Sequence, residues 1–252
     1  MEIAGSAALV TGAASGLGAA TAAALAARGA TVYGLDLPGT MSGATPPDGV
    51  TLLPADVTEE NAVRAALARI EGDDQQLRLA VNCAGIAPSA RIVSHRGPHD
   101  LDLFRTVIGV NLVGTFNVLR LAADAMSRLP ADDDGQRGVI VNTASIAAFE
   151  AQVGQVAYAA SKAGVTGMTV TAARDLAQHG IRVVAIAPGI VDTPLMAGMP
   201  DEVRAGLAAS VPFPKRFARP QEYADLVLMV VAHDYLNGET IRMDGALRMA
   251  PR

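Results

Sequence analysis

The stretch Thr11-Gly12-Ala13-Ala14-Ser15-Gly16-Leu17-Gly18 follows the apolar run 6–11 and opens the Ala-rich run 16–28. The run before it reads as a buried strand and the run after it as a helix. Glycines at 12, 16 and 18 stand between them, so backbone amides and a helix N-terminus can approach a pyrophosphate. A glycine cluster alone also makes an ordinary tight turn. The strand–turn–helix context favours the phosphate reading. The spacing, Gly-x-x-x-Gly-x-Gly, is wider than the commonest dinucleotide fingerprint. Gly12, Ser15, Gly16, Leu17 and Gly18 are therefore candidate cofactor contacts.

Outward from this turn the chain alternates. Strands are expected at 31–36, 50–54, 77–82, 137–143, 181–187 and 239–243, and helices at 59–70, around 100–128, 156–178 and 220–232. Such alternation implies an α/β fold, a doubly wound parallel sheet with helices on both faces. The segment 188–220 holds six prolines and interrupts the order after the sixth strand. An excursion of this kind on an α/β scaffold reads as a lid or substrate loop, at about 189–220.

Composition narrows the function classes. The 252 residues fit one large α/β domain or two small ones, and half are hydrophobic, enough for a full core. A net charge of −5 leaves no basic footprint for nucleic acid or an anionic membrane. The single cysteine, Cys83, excludes an intramolecular disulfide and a cysteine-based zinc site. The four histidines show no metal-ligand spacing. No uninterrupted apolar run of 18 residues appears, so no membrane span is expected, and no signal peptide is read at the start; the default location is cytoplasmic.

The strand ends carry the chemistry. Asp36 lies 18 residues beyond Gly18 at the end of the second strand, where a carboxylate accepts from ribose hydroxyls and repels a 2′-phosphate. No Lys or Arg lies in 11–18 or 36–40, which favours NAD over NADP. Asp56-Val57 follows the third strand and can meet the adenine, or Asp56 can simply start a helix. Cys83-Ala84-Gly85 follows Asn82 at the end of the fourth, with Cys83 expected as a small packing residue. Tyr158 and Lys162 share one helix face at i, i+4. An ammonium there is expected to lower the phenol pKa from about 10 and make Tyr158 an acid/base. One of only two lysines in the chain occupies that slot. Ser145, 13 residues earlier, can donate to a substrate oxygen. Asn111, a poor residue for a helix interior, is expected in a buried polar role.

Together these residues resemble the short-chain dehydrogenase/reductase family over nearly the whole chain. The resemblance implies a single Rossmann-type domain over 1–252, with about seven strands in the order 3-2-1-4-5-6-7. It implies NAD-dependent hydride transfer, with Tyr158 as acid/base and Ser145 orienting the oxygen. Lys162 would hold the ribose, and Asn111 would support a relay water. Leu37, Val57, Cys83, Ala84, Gly85, Pro188, Val191 and Thr193 join the implied cofactor contacts. Cys83 stands where most members have Asn. The stretches Asn82–Ala87, Gly114–Val118, Asn142–Ser145, Ala148–Glu150 and Val211–Pro214, with the ending Leu236–Ala246, are similar to the type-2 3-hydroxyacyl-CoA dehydrogenase subgroup (17β-hydroxysteroid dehydrogenase type 10 group). The implied substrate is an acyl-CoA. Gln152 and Gln155, between Ser145 and Tyr158, can line the substrate mouth or be ordinary surface polar residues. A hydroxysteroid, another secondary alcohol or a 3-oxoacyl-carrier-protein remains an alternative. So, from a different class, does a non-catalytic NAD sensor or scaffold. The helix 156–178 is small or apolar nearly all round, which points to packing with 111–128 against a second subunit. The resemblance implies a homotetramer.

Overall fold

The structure, a computed structural model, describes residues 1–251. Seven strands form one parallel sheet: β1 (Ala7–Thr11), β2 (Thr31–Asp36), β3 (Val50–Pro54), β4 (Leu77–Asn82), β7 (Gly138–Thr143), β8 (Ile181–Pro188) and β9 (Thr240–Met243). Their spatial order is β3-β2-β1-β4-β7-β8-β9, which numbered along the sheet strands alone is 3-2-1-4-5-6-7. A two-residue hairpin, β5 (Val93–Ser94) and β6 (Gly97–Pro98), stands apart.

Neighbouring strand residues face opposite layers, as the two-residue period requires. Leu9, Ile140 and Val183 pack with α3 (Glu60–Gly72), α5 (Thr115–Ser127) and α6 (Val156–Ala177). Val10, Val141 and Val184, one residue on, pack with α1 (Gly16–Ala26) and α9 (Pro220–Ala232). Covered on both faces, these strands have no need of polar alternation. That is why short apolar runs identified them in the sequence.

Two expectations need correction. The helix around 100–128 is not one regular α-helix. It runs as α4 (Leu101–Ile108), a π-helical turn (Gly109–Gly114) and α5. π-turns inside helices often mark functional sites, and this one carries Asn111. The whole of Leu101–Ser127 is also long and apolar enough to cross a membrane, with mean hydropathy 1.4 over its best window. Val118, Leu121 and Ala122 of that stretch are nonetheless in the core beneath the sheet. Finally, 189–220 is not plain loop: it contains α7 (Pro194–Ala197) and α8 (Asp201–Ser210). The four-residue α2 (Pro38–Met41) follows β2. The proline count masked the first two of these and a single turn is too short to show a period.

Candidate cofactor groove and active site

Two cavities open at the carboxyl ends of the strands, where ligands bind in sheets of this kind. The first, about 340 Å³, is lined by Gly12, Ser15, Gly16, Leu17, Gly18, Asp36, Leu37, Asp56, Val57, Cys83, Ala84 and Gly85. The second, about 260 Å³, is lined by Ser145, Gln152, Gln155, Tyr158, Pro188 and Val191, among others. Leu17 and Thr193 line both, so the cavities meet there. Pro188 and Val191, expected beside the cofactor, thus face the second cavity.

The glycines are required by space. A Cβ on Gly18 would lie 2.1 Å from the Gly12 carbonyl oxygen. One on Gly12, whose φ is +67°, would lie 2.9 Å from the Ala84 nitrogen. The Thr11 hydroxyl accepts from the Cys83 and Ala84 amides at 3.1 Å each and ties the first turn to the end of β4. The amides of the first turn of α1 have no partner within the helix. This backbone cradle fits a pyrophosphate.

Asp36 closes the far end. One carboxylate oxygen accepts from the Ala14 amide at 2.9 Å. The other accepts from the Leu37 amide at 2.8 Å and from the Thr40 hydroxyl. A carboxylate has about four acceptor positions, so one remains for a ribose hydroxyl. Among the described residues lining the groove there is no Lys or Arg. The donor set fits an adenosine dinucleotide. Asp56 also lines the groove, and one of its oxygens accepts from the Thr58 amide and hydroxyl at 2.9 and 2.7 Å, closing a turn ahead of α3.

In the second cavity, Ser145 ends the loop after β7 and accepts from the Ala147 amide at 3.1 Å. Its O–H is left free to donate, and it shares the cavity wall with Tyr158. Lys162 lies one turn along α6, buried, with Nζ 5.8 Å from the Tyr158 ring centre. Here the expected electrostatics are overturned. Burial pushes the Tyr158 phenol above its ordinary value, and the Ser145 hydroxyl only partly opposes this. Lys162 donates at 2.7 Å to the Thr143 carbonyl, and desolvation lowers its own pKa to about 8. In the protein alone the ammonium serves the strand end more than the phenol.

Asn111 is fully buried, as its misfit with a regular helix foretold. Its amide oxygen accepts from the Ile86 N–H at 2.8 Å, and its nitrogen donates to the Ile86 carbonyl and Ser161 hydroxyl at 2.8 and 3.1 Å. It clamps the loop after β4 to α6. The Cys83 thiol, its pKa raised by burial, faces Thr143 and Tyr223.

Sequence reading missed several residues. Met196, Met199, Leu207 and Met249 complete the second cavity, with Ala87 and Ile146. Met249 comes from the C-terminal tail, which the Val153 amide holds by a 3.0 Å bond to the Pro251 carbonyl. Isolated apolar residues in distant segments carry no sequence signal of a shared wall.

The sequence model of the short chain dehydrogenase family matches residues 6–204. The chain is 51% identical to 3-hydroxyacyl-CoA dehydrogenase type-2 of Bos taurus, covering 99% of this chain and 98% of the relative. It is 37% identical to the (3R)-3-hydroxyacyl-CoA dehydrogenase of Mus musculus, with 96% of each chain covered. A crystal structure of 3-hydroxyacyl-CoA dehydrogenase type-2 from Mycobacterium avium superposes with a TM-score of 0.92 at 42% identity, covering 98% of both chains. By this match and by its fold, the chain belongs to the short-chain dehydrogenase family of oxidoreductases.

Proposed function

We propose that this chain is an NAD-dependent 3-hydroxyacyl-CoA dehydrogenase that interconverts L-3-hydroxyacyl-CoA and 3-ketoacyl-CoA. The observation that carries this is identity near 50% along the full length of relatives of that name. The Ser145–Tyr158 pair facing an apolar cavity next to the dinucleotide groove supports it.

Bound NAD supplies the hydride acceptor. The chain's own part is to hold and move a proton. Ser145 donates its free O–H to the substrate oxygen and fixes it beside Tyr158. When a ketone is reduced, Tyr158 gives its phenolic proton to the forming alkoxide, and burial keeps that proton in place beforehand. When an alcohol is oxidised, Tyr158 must first be phenolate, so turnover in that direction rises with pH. Gly12, Gly16 and Gly18 present amides to the diphosphate, and Asp36 accepts from the ribose.

The test follows NADH absorbance with acetoacetyl-CoA, its CoA-free ester and a ketosteroid. Rapid oxidation of NADH by the thioester alone is expected. Turnover of the others without acetoacetyl-CoA would exclude the acyl-CoA substrate and keep the dehydrogenase. In the reverse direction, (3S)-3-hydroxybutyryl-CoA is expected to be oxidised and the (3R) isomer left. The reverse preference would align the chain with the (3R) relatives.

The same reading includes a cytoplasmic homotetramer. Ala160, Ala163, Gly167 and Val170 form an exposed, uncharged face of α6, beside Val113 and Phe116, each 52% exposed. A second copy placed about a two-fold axis would bury this surface. Light scattering on the purified chain is expected to give four times the 25.8 kDa chain mass; a monomer would overturn this part.

A further inference from the structure

Lys162 reaches the active site from α6, on one face of the sheet. A second side chain reaches the same strand end from the other face. Tyr223 of α9 is fully buried, and its hydroxyl lies 2.7 Å from the Thr143 hydroxyl. Thr143 is the last residue of β7, and its carbonyl accepts the Lys162 ammonium at 2.7 Å. The β4–β7 ladder ends at Asn82↔Asn142, one residue short of Thr143. On that side no ladder partner holds Thr143 in place. The Cys83 thiol, 3.7 Å from the Thr143 hydroxyl and 3.8 Å from that of Tyr223, completes the cluster.

A tyrosine hydroxyl buried in an apolar layer costs stability unless it is partnered. Phenylalanine would fill the same space among Val10, Val141, Val184 and Val227 at no such cost. The retained hydroxyl meets a residue whose carbonyl holds the only lysine of the site. The geometry points to Tyr223 as a positioning residue that, through Thr143, fixes the strand-end carbonyl on which Lys162 rests. It lines neither groove nor substrate cavity and acts through that contact. The inference uses the active-site assignment of Lys162 and is independent of the substrate's identity.

Two features make the test direct. The chain has only two lysines, so protein grown with ¹³C-labelled lysine gives one ε-carbon signal from Lys162 and one from Lys215. Lys215 is the internal reference. The titratable groups around Lys162 are Tyr158 on its own helix and Cys83 at the end of β4, with Tyr223 beyond Thr143. Burial already lowers the Lys162 pKa to about 8, so its titration falls in an accessible range. The experiment titrates cofactor-free wild type, Tyr223→Phe, Thr143→Val and Thr143→Ser, and measures turnover in each.

If Tyr223 positions Lys162, Tyr223→Phe lowers the Lys162 midpoint by about half a pH unit, because the charged amine loses part of its support. Lys215 stays unchanged. Turnover falls by about tenfold, with the NADH dissociation constant altered less. Thr143→Val behaves alike, Thr143→Ser restores both readouts, and the Val/Phe double variant is no worse than either single one. A Tyr223→Phe protein with a lower melting temperature but an unmoved Lys162 midpoint would overturn the inference, leaving a purely structural hydroxyl. So would additive losses in the double variant. Should Tyr223→Phe fail to fold, the Thr143→Val and Thr143→Ser pair decides by the same midpoint. If the chain turns over no substrate at all, the proposed function fails, while the titration still answers for Tyr223.

Discussion

The dinucleotide groove and the substrate cavity adjoin at Leu17 and Thr193 yet are built in opposite ways. The groove is made of backbone. Gly12 and Gly18 admit no Cβ, its loops are tied by the Thr11 hydroxyl, and Asp36 is held by two amides. The cavity is made largely of side-chain surface from five separate segments, with methionines at 196, 199 and 249. Backbone sites tolerate little, because a main-chain clash cannot relax by changing rotamer. A methionine wall is adaptable, since the thioether chain fills irregular gaps. The difference teaches where one dehydrogenase scaffold can be retuned.

Substitutions test that contrast, and the largest effect is expected at the junction. Tyr158→Phe removes the proton donor while keeping the ring. Turnover should fall by about a thousandfold, within the range for general acid–base groups. NADH binding, followed by fluorescence, should change little. Loss of binding together with turnover would mean that the groove and the catalytic face are one mechanical unit, and the contrast would fail.

Next comes Lys162, buried with a pKa near 8 against 10.5 for a free lysine. In that window the unfolded chain holds the proton and the folded chain releases it, so stability rises with pH from about 8 to 10.5. The gain is about 3 kcal/mol for the cofactor-free protein. Cys83, raised by burial, works against it at the alkaline end. Urea midpoints of wild type and Lys162→Met across this range isolate the lysine. The wild type should gain on the variant as pH rises, and a constant gap would show that Lys162 is not desolvated. At the groove's far end, Asp36→Asn should weaken NAD binding by about tenfold through loss of a charge-assisted bond. It should narrow the preference over NADP, as measured by calorimetry with both cofactors. An unchanged ratio would remove Asp36 from cofactor selection.

What was legible in the sequence follows the same division. Doubly covered strands are apolar runs and the phosphate turn is glycine at fixed spacing, so β1 to β4 and the groove could be read off directly. Tyr158, Lys162 and Ser145 were legible because helical spacing and a strand end carry them. The π-turn was not, since Gly109-Val110-Asn111 continues an apolar helical pattern, and only the misfit of Asn111 hinted at its burial. The direction of the Tyr158 shift was misread because spacing shows the nearby charge but not the desolvation. The Thr143 carbonyl that takes up the ammonium is invisible for the same reason: backbone acceptors carry no letter. The Met249 wall depends on a tail returning across the sheet, which no local pattern encodes.

That wall yields the smallest and most specific expectation. Leu247 is buried beside Ile146 and Val211, and its carbonyl accepts from Arg242 at 3.1 Å. The Pro251 carbonyl is held by Val153. Between these two anchors Met249 faces the cavity. Met249→Ala therefore shortens one wall without releasing the tail. The cavity deepens, and longer acyl chains lose less to steric crowding. Among 3-ketoacyl-CoA substrates, the kcat/KM ratio of eight-carbon to four-carbon chains should rise by about threefold, a modest gain because one apolar contact discriminates weakly. NADH affinity should stay constant, since Met249 does not line the groove. A change in NADH affinity with an unchanged chain-length ratio would show that the tail serves the cofactor side, and the two cavities would no longer be separable.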